Sequence, residues 1–451
     1  GKTYTLNKFI KQARSEGKNV AITASTGIAA THINGQTIHS WSGLGVAKVI
    51  TDDLIKKIRT RRRKQLQAAD VLVIDEVSMI HAYVLDLVDE VCRRVRRRPE
   101  EPFGGLQVVL SGDFFQLPPV QSRAVPDHLQ SAEFLQMLQT YAQAGKDPQG
   151  YITQSFAWES LNPVICYLSE QHRQDDRQLL SVLTHIREHN VCQEDYDLIA
   201  TRVGVMPQEH EVAVNMYPTN AMADRVNAMR LDQIEENEHV FDAQSEGIAT
   251  LVERLQKNML APEHLVLKIG AAVMALRNDS EHKYVNGSLG VVVGFANKSK
   301  GGWPVVEFDN GNTEMIKPVS WEMLDGETVL ASVSQVPLRC AWAITIHKSQ
   351  GMTLDKAVMD LSSTFAPGMG YVALSRVQEL RGLFLKDINS KAFYVSDEAS
   401  RLDNHLLELS RDAQELLSKV GEDHVMQELF SSNIGLNDTS DNDEFLQGNL
   451  F

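Results

Sequence analysis

Val71-Leu72-Val73-Ile74-Asp75-Glu76 is the stretch on which the fold turns. Four apolar residues in unbroken succession read as a short buried strand, as in a parallel sheet with helices on its faces. The strand ends on two acids, and the C-terminal edge of such a sheet is where its site lies. The pattern repeats on both sides. Downstream, Gln107-Val108-Val109-Leu110-Ser111 is another strand and ends on Gly112-Asp113. Upstream, Val20-Ala21-Ile22-Thr23-Ala24 is a third, preceded by Leu6, Phe9, Ile10 and Ala13 at helical spacing in a segment closed by Gly17. That helix is entered through Gly1-Lys2-Thr3, the end of a phosphate-binding loop G-x-x-x-x-G-K-[ST], in which backbone N–H groups and the helix N-terminus hold phosphate oxygens. In such a loop Lys2 reaches the β- and γ-phosphates and the Thr3 hydroxyl ligates magnesium. The loop's first glycine and its preceding strand are absent, so the chain is expected to be a fragment that starts inside its own nucleotide site.

Length and composition set the frame. A chain of 451 residues has room for two to four structural units. Cys92, Cys166, Cys192 and Cys340 lie far apart with no C-x-x-C pair, which suggests neither a zinc site nor a disulfide framework and makes a reducing compartment the default. No apolar run reaches the ~18 residues of a membrane span. The net charge of −15 argues against a nucleic-acid partner until its distribution is seen: residues 397–451 carry 13 Asp/Glu against 3 Lys/Arg. The remainder is mildly acidic and holds two basic clusters, Arg59–Lys64 and Arg93–Arg98, each of which reads equally as a solvated helix face.

Further along, Ile165-Cys166-Tyr167-Leu168 is expected to start a second α/β series. From residue 265 the texture changes to short β-rich runs split by Asn286-Gly287, Gly301-Gly302 and Asn310-Gly311, the signature of a small antiparallel barrel inserted in an α/β domain. The α/β texture resumes at Ala341. From about Ser431 the chain is Asn/Asp/Ser-rich, and disorder is expected there.

The chemistry is carried by a few strings. In a nucleotide hydrolase the first acid after such a strand, here Asp75, holds magnesium, and the second, Glu76, polarises the attacking water. Gln116, in Gly112-Asp113-Phe114-Phe115-Gln116-Leu117-Pro118-Pro119-Val120, can hydrogen-bond a γ-phosphate or its attacking water. Arg173 and Arg376 are candidates to answer the charge of a transferring phosphoryl group, because a planar guanidinium does so bidentately. Ala343–Gly351 reads as a short helix closed by glycine, with His347 among its polar members.

Together these strings resemble the PIF-type DNA helicases of superfamily one, which move 5′ to 3′. The likeness runs from residue 1 to about 390. It also rests on Ser25-Thr26-Gly27-Ile28-Ala29-Ala30, Thr37-Ile38-His39-Ser40, Phe103-Gly104-Gly105, Tyr217-Pro218-Thr219-Asn220 and Val285-Asn286-Gly287-Ser288-Leu289-Gly290. Asn34, where the family has a glycine before Gly35, and His172, in place of a phenylalanine, depart from the pattern. The resemblance implies an α/β fold with two RecA-like parallel-sheet domains of a P-loop NTPase and a small all-β, Src-homology-3-like insertion in the second. The expected division is a first lobe over 1–164 with a wedge insertion near 42–66, a second lobe over 165–264 and 340–396, the insertion over 265–339, and an acidic, partly disordered tail over 397–451. It further implies that Gly1, Lys2, Thr3, Asp75, Glu76, Gln116, Arg173, Gly351 and Arg376 surround ATP-Mg²⁺. Thr37, His39, Thr219, Asn220, Thr345 and His347 would line a single-strand groove.

The expectation is therefore an ATP-dependent 5′-to-3′ DNA helicase serving repair, recombination or genome maintenance. Its cofactors are ATP and Mg²⁺ and its partners single-stranded DNA and duplex junctions, with no membrane; it is expected to be monomeric and intracellular, and its tail is open to a protein partner. Two alternatives stand beside it: a RecD-like or relaxase-associated helicase, and a nucleic-acid-binding remnant without motor activity. The intact acids, Gln116 and both arginines speak against the second.

Overall fold

The computed structural model describes residues 1–420 except 27–28, 31–32, 34, 46, 59, 120–130, 169–175, 209–212, 260, 278, 280–282, 285–287, 298, 300, 326–327, 351–353 and 355. Arg173, Gly351, Asn34, His172 and the Ser431–Phe451 tail lie outside the described residues.

The first sheet is built as the sequence directs. Strands β1 (Val20–Ala24), β2 (Gln36–Thr37), β3 (Val71–Asp75) and β4 (Gln107–Leu110) run parallel in the order β2-β1-β3-β4. Every residue of β3 is buried, which is why it carries no polar alternation. Ala24 pairs with Asp75 and Ile74 with Leu110, so three strands end at one level. Just past that level, Ser25 N–H donates to the Asp75 carbonyl at 3.1 Å and Ser111 N–H to the Ile74 carbonyl at 2.9 Å. Helix α1 (Lys2–Ser15) packs Leu6 and Ile10 into the same core as Ile22, Val71 and Val73. After β2 comes the short helix α2 (Ile38–Ser42), and helix α3 (Ala82–Arg96) buries a stripe from Val84 to Val95.

The basic cluster at the end of α3 is neither a free cationic patch nor only a solvated face. Arg93 donates to Asp89 at 2.8 Å, and Arg96 donates to the carbonyls of Gly104, Leu66 and Ala69 at 2.7–2.9 Å. These guanidiniums satisfy carbonyls near a helix C-terminus, where positive charge is favoured. The segment expected to hold the wedge carries two short helices, Asp52–Lys57 and Thr60–Ala68.

The second parallel sheet uses β5 (Val214–Tyr217), β6 (Ala343–Thr345), β7 (Ala357–Leu361) and β8 (Leu383–Ile388), in the order β6-β5-β7-β8. Residues 343–351 are therefore not one helix: a strand over 343–345 is followed by a 3₁₀ turn over Ile346–Ser349. Helices α4 (Arg177–Arg187), α5 (Asn220–Asp232) and α6 (Met369–Leu374) belong to this lobe. Its core takes in two residues from the first lobe, Phe115 and Leu117, beside Leu179, Leu183, Met369 and Tyr371.

Between β5 and β6 lies the β-rich insertion. Its main sheet is antiparallel, ordered 313–315, 304–308, 289–295, 272–275, 338–340, over a core that includes Leu267, Val292 and Val306. The β structure begins at His239, ahead of residue 265, because His239–Asp242 pairs with His264–Leu267 and the next strand, Gln244–Gly247, pairs with Thr328–Gln335. All four residues of that strand are exposed, so no hydrophobic pattern announces it. The main sheet ends on unpaired outer strands among the described residues, so barrel closure is not seen.

Ile165–Leu168 is not a strand. Alternate residues there are exposed, and Pro163–Tyr167 forms a separate unit with the chain from Asp403 onward. Tyr167 N–H donates to Ser410 Oγ at 2.9 Å and its hydroxyl to the Asp403 carboxylate. Asp403 and Ser410 lie on α7 (Asp397–Val420), so the first part of the acidic tail is a 24-residue helix.

Gly368 has φ +78°, and a Cβ there would meet the Phe115 carbonyl oxygen at 2.7 Å and that of Gln116 at 3.2 Å. Gly368→Ala should therefore lower stability by about 1–3 kcal/mol. A reduced denaturant midpoint at constant slope checks this; an unchanged midpoint shows that the Phe115 loop does not need the close approach.

Candidate active site

The edge where β1, β3 and β4 end gathers the acids that the sequence singles out. Asp75 is 6% and Glu76 8% exposed. Glu76 has φ +52°, a left-handed conformation that costs a non-glycine residue on the order of 1–3 kcal/mol. The turn is fixed by its own N–H, which donates to Asp75 Oδ1 at 2.9 Å. It aims the Glu76 carboxylate at two groups that come from opposite ends of the chain: Lys2 Nζ at 4.0 Å and Gln350 Nε2 at 3.4 Å from Oε2.

Among the described residues, six buried side-chain polar atoms have no hydrogen-bond partner: Lys2 Nζ, Ser25 Oγ, Ser78 Oγ, Ser111 Oγ, Gln116 Oε1 and Gln350 Oε1. All six belong to the strand-end segments or to their direct neighbours. Each such group costs roughly 1–3 kcal/mol when left unmet. Their chemistry matches a nucleotide: a lysine ammonium and serine hydroxyls donate to phosphate oxygens, while amide and hydroxyl oxygens accept from water. Thr3 is exposed on the first turn of α1, whose N-cap, Gly1, is also exposed and supplies no side-chain cap. The first N–H groups of that helix thus point at the same edge with no side chain competing for them.

Gln116 donates from Nε2 to Asp113 Oδ2 at 3.1 Å. Burial works against the charged form of the Asp113 carboxyl, but Arg187 and Lys2, with hydrogen bonds from Gln116 and Phe115, hold it below the ordinary carboxylate range. A cavity of about 190 Å³ beside Gln116 is lined, among the described residues, by Phe114, Pro118, Tyr151, Asp147 and Glu398, with carboxylates and no cation.

Arg376 is fully buried just past α6. Its Nε donates to the Val372 carbonyl and its Nη2 to Ser375 Oγ, both at 2.8 Å.

The six residues expected along a strand fall in two groups. Thr37 and His39 lie where β2 meets α2; Thr37 Oγ1 accepts the Ser40 N–H as a helix cap. Burial first, and then His81, hold the His39 imidazole below its ordinary value, so it is neutral at pH 7. Thr219, Asn220, Thr345 and His347 come together because Thr345 pairs with Tyr217 across β6 and β5. Asn220 is exposed, His347 is half-buried and held down in pKa by burial, and Thr345 is only 4% exposed. Thr345 as a whole residue is thus covered in this structure.

Sequence reasoning gave no role to Asp113, Gln350 or Arg187. The first two stand inside strings already singled out, so the signal was present. Arg187 has none: only the fold brings it to Asp113.

The sequence matches the model of the PIF1-like helicase family over residues 1–182 and that of the Pif1 helicase 2B domain over residues 250–295. It is 37% identical to the ATP-dependent DNA helicase Pif1 of Psychrobacter sp., over 95% of this chain and 70% of that protein. Against the ATP-dependent DNA helicase PIF1 of Xenopus laevis the identity is 34%, over 87% of this chain, and the match spans 58% of the relative's length. The crystal structure of Pif1 helicase from Bacteroides in complex with ADP-AlF3 and single-stranded DNA superimposes with a TM-score of 0.73 at 29% identity, covering 90% of this chain and 91% of that one.

A site kept open for a ligand trades stability for binding. Ser78→Ala and Ser111→Ala should each raise ligand-free stability by about 1 kcal/mol, since each removes an unmet buried hydroxyl. Both should also weaken binding of a fluorescent ATP analogue. Loss of stability instead would show that these hydroxyls are satisfied without ligand.

Proposed function

The chain belongs to the PIF1-like family of ATP-dependent DNA helicases, and on that premise we propose that it is the motor of a 5′-to-3′ helicase that moves on single-stranded DNA and opens duplex junctions. The observation that carries this reading is the set of six unmet buried polar atoms gathered around Asp75 and Glu76. A remnant without motor activity would have no reason to keep them.

When bound, ATP supplies the phosphoanhydride and Mg²⁺ the neutralising charge. Thr3 and Asp75 are the residues that would hold the ion, the one a hydroxyl and the other a carboxylate, as a hard cation requires. Lys2 Nζ donates to phosphate oxygens with Gly1 beside it. The Glu76 carboxylate takes a proton from water at Oε2, and Gln116 Oε1 orients that water. Gln350 holds Glu76 from the second lobe. Arg173, Arg376 and the Gly351 backbone are assigned to the transferring group.

Thr37 and His39 from one lobe, and Thr219, Asn220, Thr345 and His347 from the other, are assigned to the DNA backbone. A neutral imidazole, hydroxyls and backbone N–H groups position phosphates without reading bases, so little sequence preference follows. The two lobes are proposed to span 1–164 and, together, 165–264 and 340–396, with the wedge near 42–66 and the inserted sheet between them. The protein is proposed to act as a monomer in the DNA-containing compartment of its cell, in repair or recombination.

Two outcomes test the proposal. In the protein that carries this chain, Glu76→Gln should bind ATP and DNA yet lose turnover by about 100-fold or more, because the amide keeps the shape and loses the base. Near-normal steady-state turnover removes Glu76 from this role. Matched substrates should show unwinding from a 5′ overhang and none from a 3′ overhang at one salt concentration, with overhang binding weakening as salt rises. Preference for the 3′ overhang would sink the polarity and leave the ATPase standing.

A further inference from the structure

Asp113 lies between the two lobes. Its Oδ1 accepts the Phe115 N–H at 3.2 Å and its Oδ2 accepts Gln116 Nε2 at 3.1 Å. From the second lobe, Arg187, the last residue of α4, brings Nη1 to 4.0 Å from Oδ2. The guanidinium lies 4.5 Å from the centre of the Phe115 ring and 6.0 Å from that of Tyr371, and Nη1 donates to the Tyr371 hydroxyl at 3.3 Å. Tyr371 stands on α6, the helix that leads to Arg376. On its other side Asp113 feels the charge of Lys2, which also approaches Glu76. One buried carboxylate is therefore shared by the phosphate-binding lysine, the Gln116 amide and an arginine of the opposite lobe.

We propose that Arg187 is a positioning residue for ATP hydrolysis: it holds Asp113 toward the second lobe, and through the Asp113–Gln116 hydrogen bond it sets Gln116 Oε1, so that movement of the lobes reaches the hydrolytic site. The inference rests on the reading of the protein as a DNA-stimulated ATPase. The argument is one of charge. Asp113 is held ionised against burial by two cations, one in each lobe. Without Arg187, Lys2 is the cation left acting on Asp113 among the described residues, and Coulomb attraction draws Nζ toward Asp113 and away from phosphate. Gln116 then loses a fixed acceptor for its amide. A purely structural Arg187 would act as a flat plate between Phe115 and Tyr371, and its charge would not matter.

Methionine keeps most of the bulk and removes the charge, while lysine keeps the charge and loses the planar fork. In the protein that carries this chain, Arg187→Met should lower DNA-stimulated kcat about tenfold or more, with KM for ATP changed less than about threefold. Arg187→Lys should recover most of that loss. Combining Arg187→Met with Asp113→Asn should cost no more than the worse single change, because the two act through one contact. Normal kcat in Arg187→Met, a lysine variant as poor as the methionine one, or additive losses would each overturn the proposal. If Arg187→Met does not fold, Tyr371→Phe takes its place: it removes the hydroxyl that accepts from Nη1, and a normal kcat there assigns Arg187 to folding alone. Absence of turnover in the unsubstituted protein removes the ATPase reading together with this one, whereas turnover there with normal variants removes only this one.

Discussion

Everything at the site depends on the way one loop of the first lobe is planted in the core of the second. Phe115 and Leu117 leave β4 and lie among Leu179, Leu183, Met369 and Tyr371. Burying two such side chains is worth roughly 1.5–3 kcal/mol each. The Phe115 ring meets Tyr371 edge-on at 6.4 Å, and Gly368 gives the loop carbonyls room to approach. Gln116 sits between the two anchors. It cannot shift by much without moving a close-packed core, and such cores rearrange between discrete states and do not deform smoothly. Gln116, to which a role at the nucleotide is proposed, is thereby fastened to the second lobe.

The electrostatics follow from this arrangement. The loop carries Asp113 into a place where burial disfavours charge, and the cations of both lobes converge on it. Close by, Glu76 holds a left-handed backbone that a glycine would adopt more cheaply, with its carboxylate between Lys2 and Gln350. Among the described residues, unmet buried polar atoms and shared charge concentrate around one edge of one sheet, whereas left-handed non-glycine backbone also occurs away from it, at Arg97, Phe103, Asn162 and His189. Elsewhere, several helix starts are capped, as by Thr37, Ser131, Ser155 and Asp176, and arginines near the end of α3 meet carbonyls. Unmet polar atoms gathered in one place mark function and not poor packing.

The sequence by itself determined the parallel strands, their polar ends and the location of the acids, because burial on both faces writes itself into a run such as Val71–Ile74. It also located the strings that hold Lys2, Gln116 and His347. It placed the start of the second α/β series at Ile165–Leu168, where the apolar content reflects a half-exposed segment beside the C-terminal helix, and it missed Gln244–Gly247, an exposed strand that pairs with Thr328–Gln335. Only the tertiary structure decided that Thr345 is buried, that Arg376 is fully buried with Nε on the Val372 carbonyl, and that Arg187 reaches Asp113. The physical reason is common to all three. Periodicity records which face of an element is covered, whereas the partner of a charged or hydroxyl group is fixed by distances between elements that lie far apart along the chain.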